Sequence, residues 1–170
     1  MTENEFNEYF QNMIHGNIDS FSNIYEDTKK PVYTIIFRIL GNRDDSEDIM
    51  QDLYLKLFNL PPETNISKPR AYIFSMARNM AYNQLRKKTS DELNEDYVDV
   101  EYSNMEDIIC TNITLNEAMK KLSRIDIDII SLKINGDLKF REIANIVHLP
   151  IGTVLSKYYS AIKKIKNELK

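Results

Sequence analysis

A long acidic segment without apolar periodicity divides the sequence in two and limits what the chain can fold into. Residues 89–107 read TSDELNEDYVDVEYSNMED, and the wider segment 89–119 holds 9 acidic and no basic side chains. A segment this charged, with few apolar residues in register, does not bury enough surface to order itself. We therefore expect an acidic, mobile linker at 89–109 between one domain at 1–88 and a second at 110–170.

The first predicted domain, residues 1–88, contains residues that typically start or end helices. Pro31 is predicted to interrupt or start a helix, and Gly41 suits the cap at a helix C-terminus. The next helix is predicted to run from about Glu47 to Asn59, with Asp45 or Ser46 as its N-terminal cap.

The second block is predicted to be helical as well. Leu115, Met119 and Leu122 mark one helix, and the run IDIDIISLKI begins with alternation but then loses it. We favour a helix for this run, which Asn135-Gly136 is expected to end. The chain is thus predicted to be all-α, as two small helical domains whose C-terminal member is a helix-turn-helix.

Charge is distributed in blocks along the chain, whose net charge is −4. Residues 64–88 hold 6 basic and no acidic side chains, and residues 120–170 hold 11 basic and 5 acidic ones. A local field acts within a Debye length of roughly 8–10 Å, so blocks matter more than the total. Two basic patches separated by an acidic segment suggest two contacts with one polyanion.

The first basic block contains the stretch AYIFSMARNMAYNQLRKK, which Ser67 and Pro69 are expected to open as a helix. On a helical wheel of about 100° per residue, aromatic, amide and guanidinium groups share one side of this helix. Such a mixture suits single-stranded nucleic acid, because rings stack on bases while cations meet phosphates. A solvated face with cations placed at the helix C-terminus is the other interpretation, and it stays open.

The stretch FREIANIVHLPIGTVLSKYYSAIKKIK predicts the helix-turn-helix. Ile143, Ala144 and Val147 form the inner face of its first helix, and His148-Leu149-Pro150 forms the turn. Histidine tolerates a positive φ better than branched residues do, although glycine would adopt it more easily. The second helix presents polar side chains outward, as a recognition helix entering the major groove would. A plain helical hairpin remains the alternative.

Several classes of function are disfavoured by composition. Cys110 is the single cysteine, and His15 and His148 are the two histidines, far apart in sequence. We expect no disulfide, no metal, no cofactor and no catalytic residue. The apolar runs are too short to span a membrane, and the acidic N-terminus is unlike a secretory signal. A cytoplasmic protein is expected.

Two motifs in the right order resemble the extracytoplasmic-function sigma factors of bacterial RNA polymerase. DDSEDIMQDLYLKLF followed by KPRAYIFSMARNMAYNQLRKK resembles their second region, and REIANIVHLPIGTVLSKYYSAIKKIK resembles their fourth. The resemblance implies a polymerase subunit that recognises promoters and melts DNA without being an enzyme. It also implies an anti-sigma factor as a partner, with the sigma factor itself not inserted in the membrane.

The resemblance further assigns residues to three contacts. Core polymerase would be bound by Asp48, Gln51 and Asp52, on the acidic helix of the second region. The minus-ten element and the melted non-template strand would meet Tyr72, Arg78, Asn79, Tyr82, Asn83, Arg86 and Lys87. The minus-thirty-five element would meet Thr153, Leu155, Ser156, Lys157, Tyr159 and Ser160.

Some positions depart from the family pattern. The family often has Trp at Tyr72 and Asp at Asn83, and it usually has a basic residue at Leu155. Fewer cations on the second helix should weaken phosphate attraction. A helix-turn-helix regulator that binds duplex DNA without polymerase, and an anti-sigma or adaptor protein that binds polymerase without promoter DNA, are the competing functions.

Overall fold

The structure is a computed structural model that describes residues 1–91, 119 and 121–168, with side chains in all of these except 89–91. The chain divides into two compact units, Met1–Tyr102 and Ser103–Lys170. The helices of the first unit are α1 (Glu3–Ile14), α2 (Ile18–Leu40), α3 (Arg43–Phe58) and α4 (Pro69–Asp91). Those of the second are α5 (Arg124–Ile134), α6 (Phe140–Val147) and α7 (Ile151–Glu168), and the described residues contain no strand.

The all-α prediction is confirmed in these described ranges. The predicted linker lies outside them except at its start, where α4 continues through Asp91. Cys110 and Leu115 also lie outside the described residues. The domain limits 1–88, 89–109 and 110–170 therefore stay a prediction.

Polar side chains cap the first two helices. Thr2 and Glu5 form a capping box at the start of α1, in which the Thr2 backbone N–H donates to Glu5 Oε2 at 2.8 Å. This bond holds the pKa of the Glu5 carboxyl below its ordinary value. The Ser20 N–H donates to Asn17 Oδ1 at 2.7 Å at the start of α2. At its end, Gly41 adopts the left-handed conformation with φ +65°, as predicted for a C-terminal cap.

Pro31 lies inside α2 rather than at an interruption, and the prediction of a break or start there is wrong. Proline removes one backbone donor and costs roughly 3 kcal/mol in a helix interior. The apolar face continues on both sides of it, from Ile24 through Val32 to Ile36, and all three side chains are fully buried. Packing of this face keeps the helix continuous.

Helix α3 begins four residues earlier than predicted, and neither Asp45 nor Ser46 caps it. Asn42 is the cap, with an extended backbone and a side-chain Oδ1 that accepts the Asp45 N–H at 3.0 Å. Asn42 directly follows the left-handed Gly41, so one residue ends α2 and the next starts α3.

Helix α2 forms the centre of the first unit and packs against α1, α3 and α4. Phe6 and Phe10 from α1, Leu53 from α3, and Ile73 and Phe74 from α4 are completely buried around it. Burying large apolar side chains contributes about 1.5–3 kcal/mol each.

An ion pair orients the start of α4. Arg70 Nη2 lies 2.6 Å from Asp27 Oδ2 of α2, and the guanidinium sits 4.3 Å from the centre of the Phe6 ring. Helix α4 begins at Pro69, as the sequence predicts.

The three helices of the second unit pack pairwise. Its core includes Ile127 and Ile130 of α5 together with Ala161 and Ile165 of α7. Met119 is helical, whereas Leu122 lies in the bend before α5, so the prediction that the same helix includes Leu122 is wrong. Both side chains are buried in the same cluster. The predicted helix over IDIDIISLKI is confirmed, with Asn135 as its C-terminal cap.

The turn between α6 and α7 lies where the sequence places it. His148 ends α6 in the left-handed conformation with φ +55°, and its N–H donates to the Ala144 carbonyl oxygen. Ile143 and Val147 are buried on the inner face of α6, and Val154 of α7 is completely buried. The helix-turn-helix prediction is therefore confirmed in its elements.

Candidate functional site

The three residues expected to bind core polymerase share one exposed surface of α3. Asp48, Gln51 and Asp52 are all exposed, while Ile49 and Leu53 on the opposite side are buried. Positions three and four apart lie on the same helix face, so the two carboxylates and the amide are available to one partner. The core of the first unit is packed without these three side chains.

An apolar groove adjoins this polar set, and sequence reasoning did not identify it. The groove has a volume of about 480 Å³ and lies between α2 and α3. Leu55 and Phe58 are 52% and 51% exposed, although both are large and apolar. Their placement off the buried stripe of α3 is the signal that sequence reasoning missed. The groove is lined by Phe21, Tyr25, Glu47, Met50, Gln51, Tyr54, Leu55 and Phe58.

Aromatic contacts shape this groove. The ring of Phe21 packs edge-on against Phe58, with centroids 5.3 Å apart, and Tyr25 packs edge-on against Tyr54 at 4.8 Å. The Thr28 hydroxyl donates to the Ile24 carbonyl oxygen at 2.6 Å. The Tyr54 hydroxyl, 2.8 Å from Thr28 Oγ1, therefore donates to it. This anchors the groove floor to α2.

Two other acids of α3 already have cationic partners. Arg43 Nε lies 2.8 Å from Glu47 Oε1, and Lys88 of α4 is paired with Asp45. The Lys88 contact ties the cationic end of α4 to the start of α3. The ion pair with Asp45 therefore supports a structural role for Lys88, the last cation of the stretch AYIFSMARNMAYNQLRKK.

Helix α4 separates its apolar and polar sides as the wheel predicts. Ile73, Phe74, Ala77 and Ala81 are completely buried. On the other side, Asn79, Asn83, Arg86 and Lys87 are exposed, and Tyr72, Arg78 and Tyr82 are partly exposed. All seven residues expected to meet the minus-ten element therefore reach the surface of one helix.

Neighbouring pairs on this face are in contact. The Arg78 guanidinium carbon lies 4.7 Å from the centre of the Tyr82 ring, and Arg86 donates to the Asn83 side-chain oxygen. The first contact places a guanidinium over an aromatic ring, and the second joins a guanidinium to a side-chain amide. The face can offer stacking, hydrogen bonding and positive charge together.

Helix α7 presents most of its six predicted residues to solvent. Thr153, Ser156 and Ser160 are exposed, and Tyr159 is 62% exposed. Leu155 is partly exposed.

The sixth, Lys157, is partly exposed and forms an ion pair that sequence reasoning missed. Its Nζ lies 3.3 Å from Oδ1 of Asp126 in α5. A pair 31 positions apart in sequence has no local signature, so only the packing of α5 against α7 reveals it.

The described residues contain no group of three or more His, Cys, Asp or Glu side chains arranged to hold a metal ion. Among the helices described, none combines the length and apolarity needed to cross a membrane.

Comparisons with known proteins agree with this architecture. Residues 24–90 match the model of the family described as Sigma-70 region 2. The ECF RNA polymerase sigma factor SigW of Bacillus subtilis (strain 168) is 24% identical over 175 residues, covering 91% of each chain. SigK of Mycobacterium tuberculosis, also an ECF RNA polymerase sigma factor, is 22% identical over 158 residues, covering 87% of this chain and 84% of its own.

Solved structures share the fold. The sigma factor RpoE of Bartonella quintana, crystallised with the anti-sigma factor NepR, gives a TM-score of 0.61 at 20% identity, over 89% of this chain and 98% of its own. CnrH, in complex with the cytosolic domain of CnrY, gives 0.61 at 17% identity over 97% of both chains.

Proposed function

We propose that this chain, a member of the extracytoplasmic-function sigma factors, is an alternative sigma factor that binds core RNA polymerase and directs transcription initiation. The observation that carries the proposal is similarity along nearly the whole chain to ECF sigma factors such as SigW, which covers both helical units. The exposed faces of α3, α4 and α7 supply three separate contacts of the kind that this function needs.

Core polymerase is bound by the α3 surface. Asp48, Gln51 and Asp52 offer acceptors to basic side chains on the coiled coil of the polymerase largest subunit. The groove beside them receives an apolar side chain of the same coiled coil. Apolar anchors buried in pockets dominate most interfaces, whereas exposed charges chiefly set orientation and association rate.

The polar face of α4 holds the melted non-template strand at the minus-ten element. Stacking of an unpaired base on an aromatic ring contributes about 1–3 kcal/mol, and this offsets part of the cost of unpairing. Tyr72 and Tyr82 supply the rings, while Arg78, Arg86 and Lys87 supply charge to the phosphates. The other two residues of the set, Asn79 and Asn83, offer amides to base edges. Melting is thus driven by binding energy.

Helix α7 reads the minus-thirty-five element as intact duplex. Its exposed hydroxyl and aromatic groups face the major groove, and Leu155 is placed to contact a thymine methyl group. The duplex is read by the second unit, while the single strand is held by the first.

An anti-sigma factor is the proposed regulatory partner. Among solved structures of the same fold, RpoE is bound to the anti-sigma factor NepR, and CnrH is bound to the cytosolic domain of CnrY. The partner would cover the α3 and α7 surfaces until released, and the sigma factor would act in the cytoplasm.

Transcription in vitro tests the proposed function. Purified core polymerase is supplied with genomic DNA, with or without this chain, and the start sites are mapped. We expect start sites that require the chain and share upstream sequence elements. A chain that binds duplex DNA tightly but yields no start site with core polymerase is a conventional regulator, and this outcome contradicts the proposal.

A matched variant links the result to the α3 surface. Asp48→Lys with Asp52→Lys reverses two exposed charges without touching the core, and it should abolish chain-dependent start sites. Glu8→Lys, on an exposed position of α1, serves as the control and should leave them intact.

A further inference from the structure

One ion pair connects the last helix of the second unit to its first described helix. Lys157 Nζ in α7 lies 3.3 Å from Asp126 Oδ1 in the first turn of α5. The Asp126 side chain is 12% exposed and the Lys157 side chain 35% exposed. The carboxylate is thus largely closed off from solvent, whereas the ammonium stays near the surface.

The register of α7 explains how Lys157 reaches both surroundings. Val154 and Ala161, which lie one turn away on either side, are buried. Thr153 and Ser160, also one turn away, are exposed. Lys157 therefore lies at the border between the packed stripe and the exposed face, where a long side chain can turn either to the carboxylate or to a DNA phosphate.

Lys157 is also the one cation among the six residues of α7 assigned to the minus-thirty-five element. The other lysines of this helix, Lys163, Lys164 and Lys166, follow it by six, seven and nine residues. The positive charge that the first turns of α7 present to DNA therefore depends on whether the Lys157 ammonium is paired with Asp126.

A carboxylate that loses its partner in a poorly solvated position incurs a desolvation penalty. A phosphate must compensate for that penalty before it can take Lys157. Phosphate contacts raise affinity for any sequence, whereas contacts to base edges discriminate between sequences.

We propose that Asp126 is a specificity-determining residue that withholds the Lys157 ammonium from the DNA backbone. Helix α7 then binds duplex through groups that read base edges and adds little sequence-independent attraction. This inference rests on the duplex-reading function proposed above for the second unit.

Removing the carboxylate charge should release the lysine. Each phosphate contact makes the slope of log affinity against log salt more negative by about 0.9. Asp126→Asn should therefore steepen that slope by about 0.9, so that a rise from 50 to 200 mM salt costs about 3.5-fold more affinity than in the unmodified chain. Binding to duplex of any sequence should become tighter, and discrimination between promoter variants should fall.

The experiment uses the full chain and a fluorescent duplex of mixed sequence, with affinity measured by anisotropy over this salt range. The double variant Asp126→Asn/Lys157→Gln replaces the ion pair by two neutral amides and should keep the original slope. Asp137→Asn makes the same charge change at an exposed residue of the same unit with φ +51°, which asparagine tolerates. It should leave the slope unchanged.

Three results would overturn the inference while leaving the proposed function intact. The first is that Asp126→Asn keeps the original slope while its helical circular dichroism is preserved. The second is that Asp137→Asn steepens the slope as much as Asp126→Asn does. The third is that the slope of the double variant is shallower than that of the unmodified chain by about 0.9. If Asp126→Asn lowers the helical signal, Lys157→Gln alone decides, because a withheld lysine predicts no loss of slope. Absence of duplex binding by every folded variant, the unmodified chain included, instead contradicts the duplex-reading function itself and the inference with it.

Discussion

Tyr82 shows at the scale of one residue how α4 could hold a melted strand. Its ring is partly exposed and lies under the Arg78 guanidinium, at 4.7 Å from ring centre to guanidinium carbon. Tyr82→Ala should reduce open-complex formation by the polymerase holoenzyme by about tenfold or more, because one stacking contact is worth roughly 1–3 kcal/mol. Tyr82→Phe keeps the ring and should stay within about twofold of the unmodified chain.

Open complexes are counted by permanganate reactivity of unpaired thymines. Tyr9→Ala, which removes a partly exposed ring from α1, is the control and should have no effect. Equal reactivity with alanine and tyrosine at position 82 would show that this ring does not stack on a base.

Tyr54 gives a prediction about pH and stability. Burial raises the pKa of its phenol above the usual range. Its folded pKa thus exceeds the unfolded value of about 10, so its contribution is complete below that pH and is lost as pH rises above it. Tyr54→Phe should cost about 1 kcal/mol at pH 7, through loss of the hydrogen bond to Thr28, and this difference should shrink above pH 10.

Urea titrations at pH 7 and at pH values above 10, fitted to the transition that Tyr54→Phe displaces, measure this difference. Tyr25→Phe removes the hydroxyl of a neighbouring, partly exposed phenol and should not reproduce the trend. A stability difference between Tyr54→Phe and the unmodified chain that grows with pH would contradict the predicted sign.

Individual residues were predictable from sequence where their role is local. His148 is the example, since the motif alone placed it in the turn between two helices, and the structure has it there with φ +55°. The Asp126–Lys157 pair was not predictable, because it forms only when α5 packs on α7. Pairing across helices depends on packing distances that no short motif encodes.

At the scale of elements, α3 combines a polar surface with an apolar groove. Leu55→Ser should weaken binding to core polymerase by about tenfold or more, because a buried apolar anchor is worth about 2 kcal/mol or more at an interface. Its side chain is 52% exposed, so folding should be little affected. Titration of labelled core polymerase measures the affinity.

Ile18→Ser, at the start of α2, is the matched control for Leu55→Ser. Ile18 is 67% exposed and lies outside the groove lining, so its replacement should leave the affinity for polymerase unchanged. An equal loss of affinity for both variants would assign the effect to a general loss of exposed apolar area instead of to the groove.

The turn between α6 and α7 positions the start of α7, the helix proposed to read duplex DNA. His148→Val should destabilise the second unit by roughly 1–2 kcal/mol, because branched side chains are disfavoured at positive φ. His148→Asn should have little effect, and Gly152→Ala should stabilise by about 0.5–1 kcal/mol. The Cβ added at Gly152 meets no atom within 4 Å. Thermal unfolding measures all three variants. An unchanged midpoint for His148→Val would show that the positive φ at this position does not disfavour a branched side chain.

Helix boundaries were predicted well where a terminal signal stands alone and poorly where packing overrides it. Gly41 and Pro69 mark the end of α2 and the start of α4 as expected. Pro31 failed as a break because the apolar face of α2 is buried on both sides of it. The start of α3 was displaced because Asn42 caps before the two predicted residues. The groove was missed because apolar residues on the exposed side of a helix are common and do not by themselves mark a binding site.

At the scale of the whole molecule, segregated charge and paired helical units explain how an acidic chain can bind DNA. Residues 64–88 and 120–170 each carry a net charge of +6, although the chain as a whole carries −4. Screening over roughly 8–10 Å lets each basic region act on its own segment of DNA. We infer that the two units contact one promoter, the first holding unpaired bases and the second reading duplex.

Transcription from a library of randomised promoters, with core polymerase and this chain, tests whether both units act on the same promoter. If the two units act on one promoter, active promoters should share two short elements at a nearly constant spacing, and unpaired thymines should appear at the downstream element alone. Active promoters with a single element, or unpaired thymines at both elements, would contradict this inference.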